Sequence, residues 1–142
     1  MARLLGQDEI PGALDISWQV FSEFEAPEYS PEGVKAFRSF LECEAAIKDL
    51  TFYGEFVEED LAGIIAMRGD SHISMLFVKK QYHRRGIGKA LLKHAIENSQ
   101  ADKITVHSSP YALEFYRRLG FVDTDVEQVR DGIRFIPMIL SR

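Results

Sequence analysis

One α+β or mixed α/β domain is the fold class this sequence predicts, and three observations predict it. Helix-like and strand-like stretches alternate along the whole chain, with no low-complexity linker and no internal repeat. The 142 residues can enclose a real hydrophobic core, and 46% hydrophobic with 27% charged residues is ordinary for a soluble globular protein. Near residue 50 the apolar spacing changes from that of helices to the alternating and continuous patterns of strands.

Each element follows in order. "DEIPGALDISWQVFSEF" places Ile10, Leu14, Trp18 and Phe21 at helical spacing, with Pro11 tolerable in a first turn. "EFEAPEYSP" reads as a loop. Ser30 is then an N-cap and Pro31 the first residue of a second helix, whose apolar face is Val34, Phe37, Phe40 and Leu41 and which runs on through Cys43 to Ile47. Strands are expected at 51–57, 61–68 and 71–78, with "EED" and "RGD" as the turns between them. A helix opening at Gly86 stacks Ile87, Leu91 and Ala95 on one stripe. The strand "KITVHS" follows, then the helix "PYALEFYRRLG" with Gly120 as its C-cap. Two last strands, 121–128 and 133–140, flank the turn "RDG".

Composition narrows the function classes. The apolar runs "AGIIAM" and "FIPMIL" are far too short to cross a bilayer, and "MARLLGQDEIPGAL" has no signal-peptide core. The single cysteine, Cys43, forms no internal disulfide and reads as a small residue half-buried in a helix, with no metal-ligand spacing around it. A reducing cytoplasm fits. Charge is unevenly spread: residues 1 to 60 hold 14 Asp and Glu against 4 Lys and Arg, whereas residues 79 to 96 hold 6 Lys and Arg and no acid. A basic spot in an acidic body suits a small anionic ligand better than a nucleic acid, whose binders are basic over a whole domain.

The basic spot surrounds two glycines, in "QYHRRGIGKALL". A strand ending at Val78, a short loop and a helix opening at glycine suit phosphate. The glycines admit close approach, the first helical N–H groups are unsatisfied donors, and the helix dipole favours an anion. Arg84, Arg85 and Lys89 add charge at the rim. A merely solvated first turn explains the arginines but not two glycines where helix propensity should be high. A Rossmann fingerprint fails because Leu91 stands where its third glycine belongs. A P-loop fails because Ala90 follows Lys89.

"HRRGIG" instead resembles the acetyl-CoA pyrophosphate loop of the GNAT (Gcn5-related N-acetyltransferase) superfamily, with His83 where Arg or Gln is commonest. "SSPYALEFYRRLGF" resembles the family's later motif, a helix carrying a tyrosine and ending at Leu-Gly-Phe. The resemblance covers about residues 50 to 140, and "SPYA" and "GIRFIPM" look like stretches of bacterial members. It implies one GNAT domain over residues 1–142, with a mixed central sheet of about six to seven strands flanked by about four helices. It also implies an acetyl-CoA-dependent N-acetyltransferase in which a primary amine attacks the thioester directly within a ternary complex.

The resemblance assigns roles residue by residue. The pyrophosphate would lie on His83, Arg84, Arg85, Gly86, Ile87, Gly88 and Lys89. The thioester arm would lie in a gap between strand 71–78 and "KITVHS", along Leu76, Phe77 and Val78, with the N–H of Phe77 or Val78 polarising the acetyl carbonyl. Tyr116 would return a proton to the departing thiolate. His72 stands where the histone-acetyltransferase branch keeps its general base, with a water chain as the alternative. The corresponding position of the ribosomal-protein branch falls on Ile104, which cannot serve. Ser109 stands near an asparagine that contacts the pantetheine arm, and His107 reads as a structural strand-end residue. No covalent nucleophile is expected.

Two other classes compete with this reading: a non-catalytic acyl-CoA-binding module, and a nucleic-acid binder disfavoured by the acidic remainder. A homodimer is left open. Glu23, Glu25 and Glu28, set among Phe24 and Tyr29, suggest a cationic acceptor such as a polyamine, a basic peptide or an aminoglycoside. The plainer reading of these acids is a solvated helix surface.

Overall fold

The computed structural model describes every residue, 1–142. Eight strands and five α-helices follow the chain as β1 (Ala2–Leu4), α1 (Ile10–Val20), α2 (Pro31–Glu42), α3 (Glu44–Lys48), β2 (Leu50–Val57), β3 (Asp60–Arg68), β4 (His72–Val78), α4 (Ile87–Glu97), β5 (Lys103–Ser108), α5 (Leu113–Arg118), β6 (Val122–Asp123), β7 (Gln128–Arg130) and β8 (Ile133–Ser141). The sheet order is β1-β2-β3-β4-β5-β8-β6, with β7 also on β8, and every pair is antiparallel except β4–β5. This is the expected mixed sheet, with two more strands and one more helix than the sequence pattern shows.

Both faces of the sheet are covered, and β3 shows it best. Ile64 and Ala66 pack toward Ala13, Ile16, Val20 and Phe21 of the α1 side. Ala62, Ile65 and Met67 pack toward Leu91, Leu92 and Tyr116 of the α4 and α5 side. Burial on both faces is why "AGIIAM" is a continuous apolar run rather than an alternating one. No helix is long and apolar enough to cross a membrane.

The caps read from sequence hold at α2, where the Ser30 hydroxyl accepts from the Gly33 N–H at 3.2 Å ahead of Pro31. Other boundaries differ for local reasons. The second helix breaks at Cys43, whose backbone is extended (φ −88°, ψ 100°), so the thiol is exposed at a joint and not half-buried within a helix. Ala2–Leu4, with little apolar pattern of its own, becomes the edge strand because β2 offers it a partner. The strand expected at 121–128 is two short pieces, β6 and β7, separated by an exposed polar stretch.

Two features shape the site. β4 carries a bulge: Ala66 pairs with Met75 but Met67 with Ile73, leaving Ser74 unmatched. Beyond it β4 and β5 separate, since only His72–Thr105 and Ile73–Val106 are paired. The β7–β8 hairpin, turned through Asp131 (φ 54°) and Gly132 (φ 79°), is seated directly on the first turn of α2. A Cβ on Gly33 would collide with the Gly132 carbonyl.

Candidate active site

The sheet opens as a V whose closed end is His72–Ile73 against Thr105–Val106. The open arm of β4 exposes backbone to the gap, and its hydrogen bonds tell which groups face it. Lys79 N–H donates to Ala62 O at 2.8 Å, on the β3 side. Backbone groups alternate along a strand, so Phe77 also faces β3, as its carbonyl beside Gly63 shows, while Leu76 and Val78 face the gap. Of the two N–H groups expected to polarise the acetyl carbonyl, that of Phe77 is therefore turned away. Val78 remains, and the Leu76 N–H, not one of the two, faces the gap as well.

The turn after β4 is held in shape by the protein itself. Asp60, at the start of β3, accepts from Lys79 Nζ at 2.9 Å and from the Tyr82 hydroxyl at 2.6 Å, and these bonds hold its carboxyl below the usual carboxylate range. His83 Nε2 donates to the Val78 carbonyl at 2.7 Å, and its ring packs on Phe24, 5.0 Å between centroids. Arg84 (φ 66°) and Gly86 (φ 76°) are both left-handed, which turns the chain sharply into α4. The N–H groups of Ile87, Gly88 and Lys89 at that helix start have no protein acceptor, leaving three donors and two cations facing one anion-sized space.

Two cavities flank the V. The larger, about 670 Å³, runs along Leu76, Phe77, Val78, His83, Arg84, Gly86, Ile87, Gly88 and Lys89 to Tyr111 and Phe115. Arg85 does not line it; its guanidinium sits 5.3 Å over the Tyr82 ring. Gly88 has a packing role too, because a Cβ there would stand 3.3 Å from the Phe115 ring, close enough that the ring would have to shift by a few tenths of an ångström. The smaller cavity, about 120 Å³, lies among Phe21, Tyr29, Phe37, Met75, His107, Ser109 and Ile133. The two share Glu25, Leu76, Phe77, Ala112 and Tyr116.

Tyr116 is 4% exposed, its ring edge-on to Phe115 and Phe121. Its hydroxyl has no protein partner, yet no side-chain polar atom of the protein is sealed away unpaired, so the hydroxyl opens onto the cavities. Burial, and secondarily the Glu25 charge, push its pKa well above the usual tyrosine value. Ser109 is reached from the smaller cavity, which Glu25 also lines, and its Oγ accepts from Ala112 N–H at 3.2 Å.

His72 does not reach either cavity. It sits at the closed end of the V, with Nδ1 on Thr105 Oγ1 at 2.8 Å and its ring edge-on to His107. Burial, with Arg68 and His107 nearby, lowers its pKa to about 4, so it is neutral but weakly basic at pH 7. This position does not suit the role of base expected from the sequence. Among the acids, Glu23 pairs with Lys80 at 3.1 Å, and Glu28 is exposed. Glu25 alone of that loop reaches the V. No group of three or more His, Cys, Asp or Glu residues is arranged to hold a metal.

The family model of the acetyltransferase (GNAT) domain matches residues 25–142, and the chain belongs to that family. It is 30% identical over 103 residues to the uncharacterised N-acetyltransferase YafP of Escherichia coli, covering 71% of this chain and 67% of that protein. Its fold is similar to a GCN5-related N-acetyltransferase from Rhodopseudomonas palustris, with TM-score 0.85, 22% identity and coverage of 100% of this chain and 95% of that one. It is similar also to the PaiA N-acetyltransferase of Thermoplasma acidophilum, solved with coenzyme A, with TM-score 0.81, 21% identity and coverage of 100% and 98%. The protein is thus a GNAT-type N-acetyltransferase that uses acetyl-CoA.

Proposed function

We propose that this enzyme moves the acetyl group of acetyl-CoA to a primary amine by direct attack, with both substrates bound at once. The observation that carries this reading is the meeting of two cavities at Tyr116 inside the V, one suited to the thioester arm and one to an acceptor. The pyrophosphate rests on the N–H groups of residues 87–89 with Arg84 and Lys89 beside them. The arm pairs with Leu76 and Val78, whose fixed N–H dipoles favour the negative charge that develops on the carbonyl oxygen.

The neutral amine forms the C–N bond as the carbonyl opens, and the C–S bond breaks when the tetrahedral centre collapses. Tyr116 protonates the leaving sulfur and recovers a proton from the nitrogen, which carries one too many after attack. Its raised pKa keeps it protonated before the reaction and makes the second transfer fast.

The smaller cavity is walled mainly by Phe21, Tyr29, Phe37, Met75 and Ile133, so the acceptor presents a compact apolar or aromatic group behind its amine. This narrows the cationic acceptor expected from the sequence to one with a single positive charge, because only Glu25 of the acidic half reaches the cavity. The reaction belongs in a reducing compartment such as the cytoplasm, where the exposed Cys43 thiol persists.

The test is thiol release from acetyl-CoA across a panel of 2-phenylethylamine, benzylamine, spermidine and lysine-containing peptides. Turnover with the arylalkylamines and intersecting initial-rate plots support the reading. Parallel plots, diagnostic of an acetyl-enzyme, would contradict direct attack.

A further inference from the structure

We infer that Glu25 is the general base: it holds the acceptor's ammonium where the two cavities meet and takes its proton before attack. The inference rests on the amine-acetylation reading above and assigns that reaction's missing residue.

Four observations converge on this side chain. Glu25 lines both cavities, together with Tyr116, so it lies where the space assigned to the acceptor meets the space assigned to the thioester. It closes a π-helical turn, Phe21–Glu25, that continues α1. Such an insertion changes which way the following side chains face, and here Phe21 and Glu25 both line the smaller cavity. Ser109, 8% exposed and fixed at the start of the α5 turn by the Ala112 N–H, lines the smaller cavity with Glu25 and favours the charged carboxylate. Besides Glu25, the polar residues lining the smaller cavity are Ser74, Ser108, Ser109 and His107, and no Lys or Arg is among them, so an ammonium would be the first fixed cation to meet Glu25 there.

The electrostatics agree. Burial raises the carboxyl to about 7, with Glu28 adding to the rise and Ser109 opposing it. The groups facing it are Tyr29, Glu28 and Glu23 from its own segment, Tyr111 and Tyr116 from the α5 side, and His107 from the end of β5; Arg134 of β8 acts on Tyr29 from the rim. The open arm of β4 contributes no ionisable side chain. A base with a pKa near the working pH can both accept the proton and release it afterwards.

The protons then balance. Glu25 takes one from the ammonium, and the neutral amine attacks. Tyr116 supplies one to sulfur and regains one from nitrogen. Glu25 loses its proton to solvent, leaving amide, thiol and one free proton.

Two measurements decide the matter. The first is kcat/KM for 2-phenylethylamine against pH, with coenzyme A affinity measured alongside. Wild type should show a rise centred near pH 7. Glu25→Gln should lose about 100-fold at pH 7.5, recover part of it at high pH where more free amine exists, and bind coenzyme A almost as before; Glu25→Asp should lie between. A Glu25→Gln enzyme with the wild-type rate and profile overturns the inference. The second is the carbon-13 titration of the Glu25 carboxyl in the resting protein, which needs no acceptor. A midpoint near 7 supports the inference and one near 4.5 overturns it, even if 2-phenylethylamine is not acetylated, a result that would count against the acceptor reading instead.

Discussion

In the proposed mechanism Tyr116 and Glu25 carry the chemistry, and they differ in how the sequence shows them. Tyr116 sits on a short helix ending in Leu-Gly-Phe, so its motif is local and readable. Glu25 stands with Glu23 and Glu28 in a row of acids that look equivalent in one dimension. Only the π turn and the two cavities that Glu25 alone lines separate the three. His72 was attractive because its ordinary pKa is suited to a base, but its burial beside Arg68 removes that property. Tyr116→Phe keeps the ring and deletes the hydroxyl, and kcat should fall by about 100-fold with coenzyme A affinity unchanged. An unaltered kcat would make the ring a packing residue. Glu25→Gln has a stability signature as well. A carboxyl whose folded pKa is raised binds its proton more tightly than the unfolded chain does, so its contribution to stability falls as pH rises from about 4.5 to about 7. The glutamine variant should therefore melt higher than wild type at pH 8, by on the order of 1–3 kcal/mol, and lose that advantage near pH 4. Equal melting curves at both pH values would deny the burial of this charge.

Among the elements, the turn between β4 and α4 was the most legible, because glycines, cations and a helix start lie within a few residues. Its details were not. The sequence marks Gly88 as a phosphate contact, yet its missing Cβ also makes room for Phe115, and Arg85 stacks on Tyr82 instead of lining the groove. A clean test of phosphate binding must therefore avoid Gly88. Reversing Arg84 and Lys89 together to Glu changes two exposed side chains and should weaken coenzyme A binding by at least about tenfold, with the loss shrinking as salt rises. Affinity equal to wild type at low salt would place the pyrophosphate elsewhere. β1 and the β6–β7 break were hidden for a common reason. Short, half-exposed strands form because a partner strand is present, and no apolar period announces them.

At the scale of the molecule, the sheet is split at one point, and the proposed site gathers there. The alternating order of helices and strands made the mixed sheet legible; the split came only from family resemblance, since a bulge at Ser74 and the end of β4–β5 pairing after Ile73–Val106 leave no mark on composition. The fold closes the acceptor side by seating the β7–β8 turn on α2, an approach that two glycines permit. Gly33→Ala should cost about 1–3 kcal/mol by pushing that turn away and should raise KM for the amine more than KM for acetyl-CoA. An equal rise in both would mean that the hairpin serves the whole fold and not the acceptor cavity.

The central claim is that acetyl-CoA enters the V, with its phosphates on the α4 turn and its thioester arm along β4. A backbone-amide NMR titration with coenzyme A tests it most directly. The account predicts large shifts and slowed hydrogen exchange at Leu76, Val78, Ile87, Gly88 and Lys89, with little change at His72 and Ile73, where the strands are already paired. Shifts confined to other surfaces, with those five amides unmoved at saturation, would contradict it.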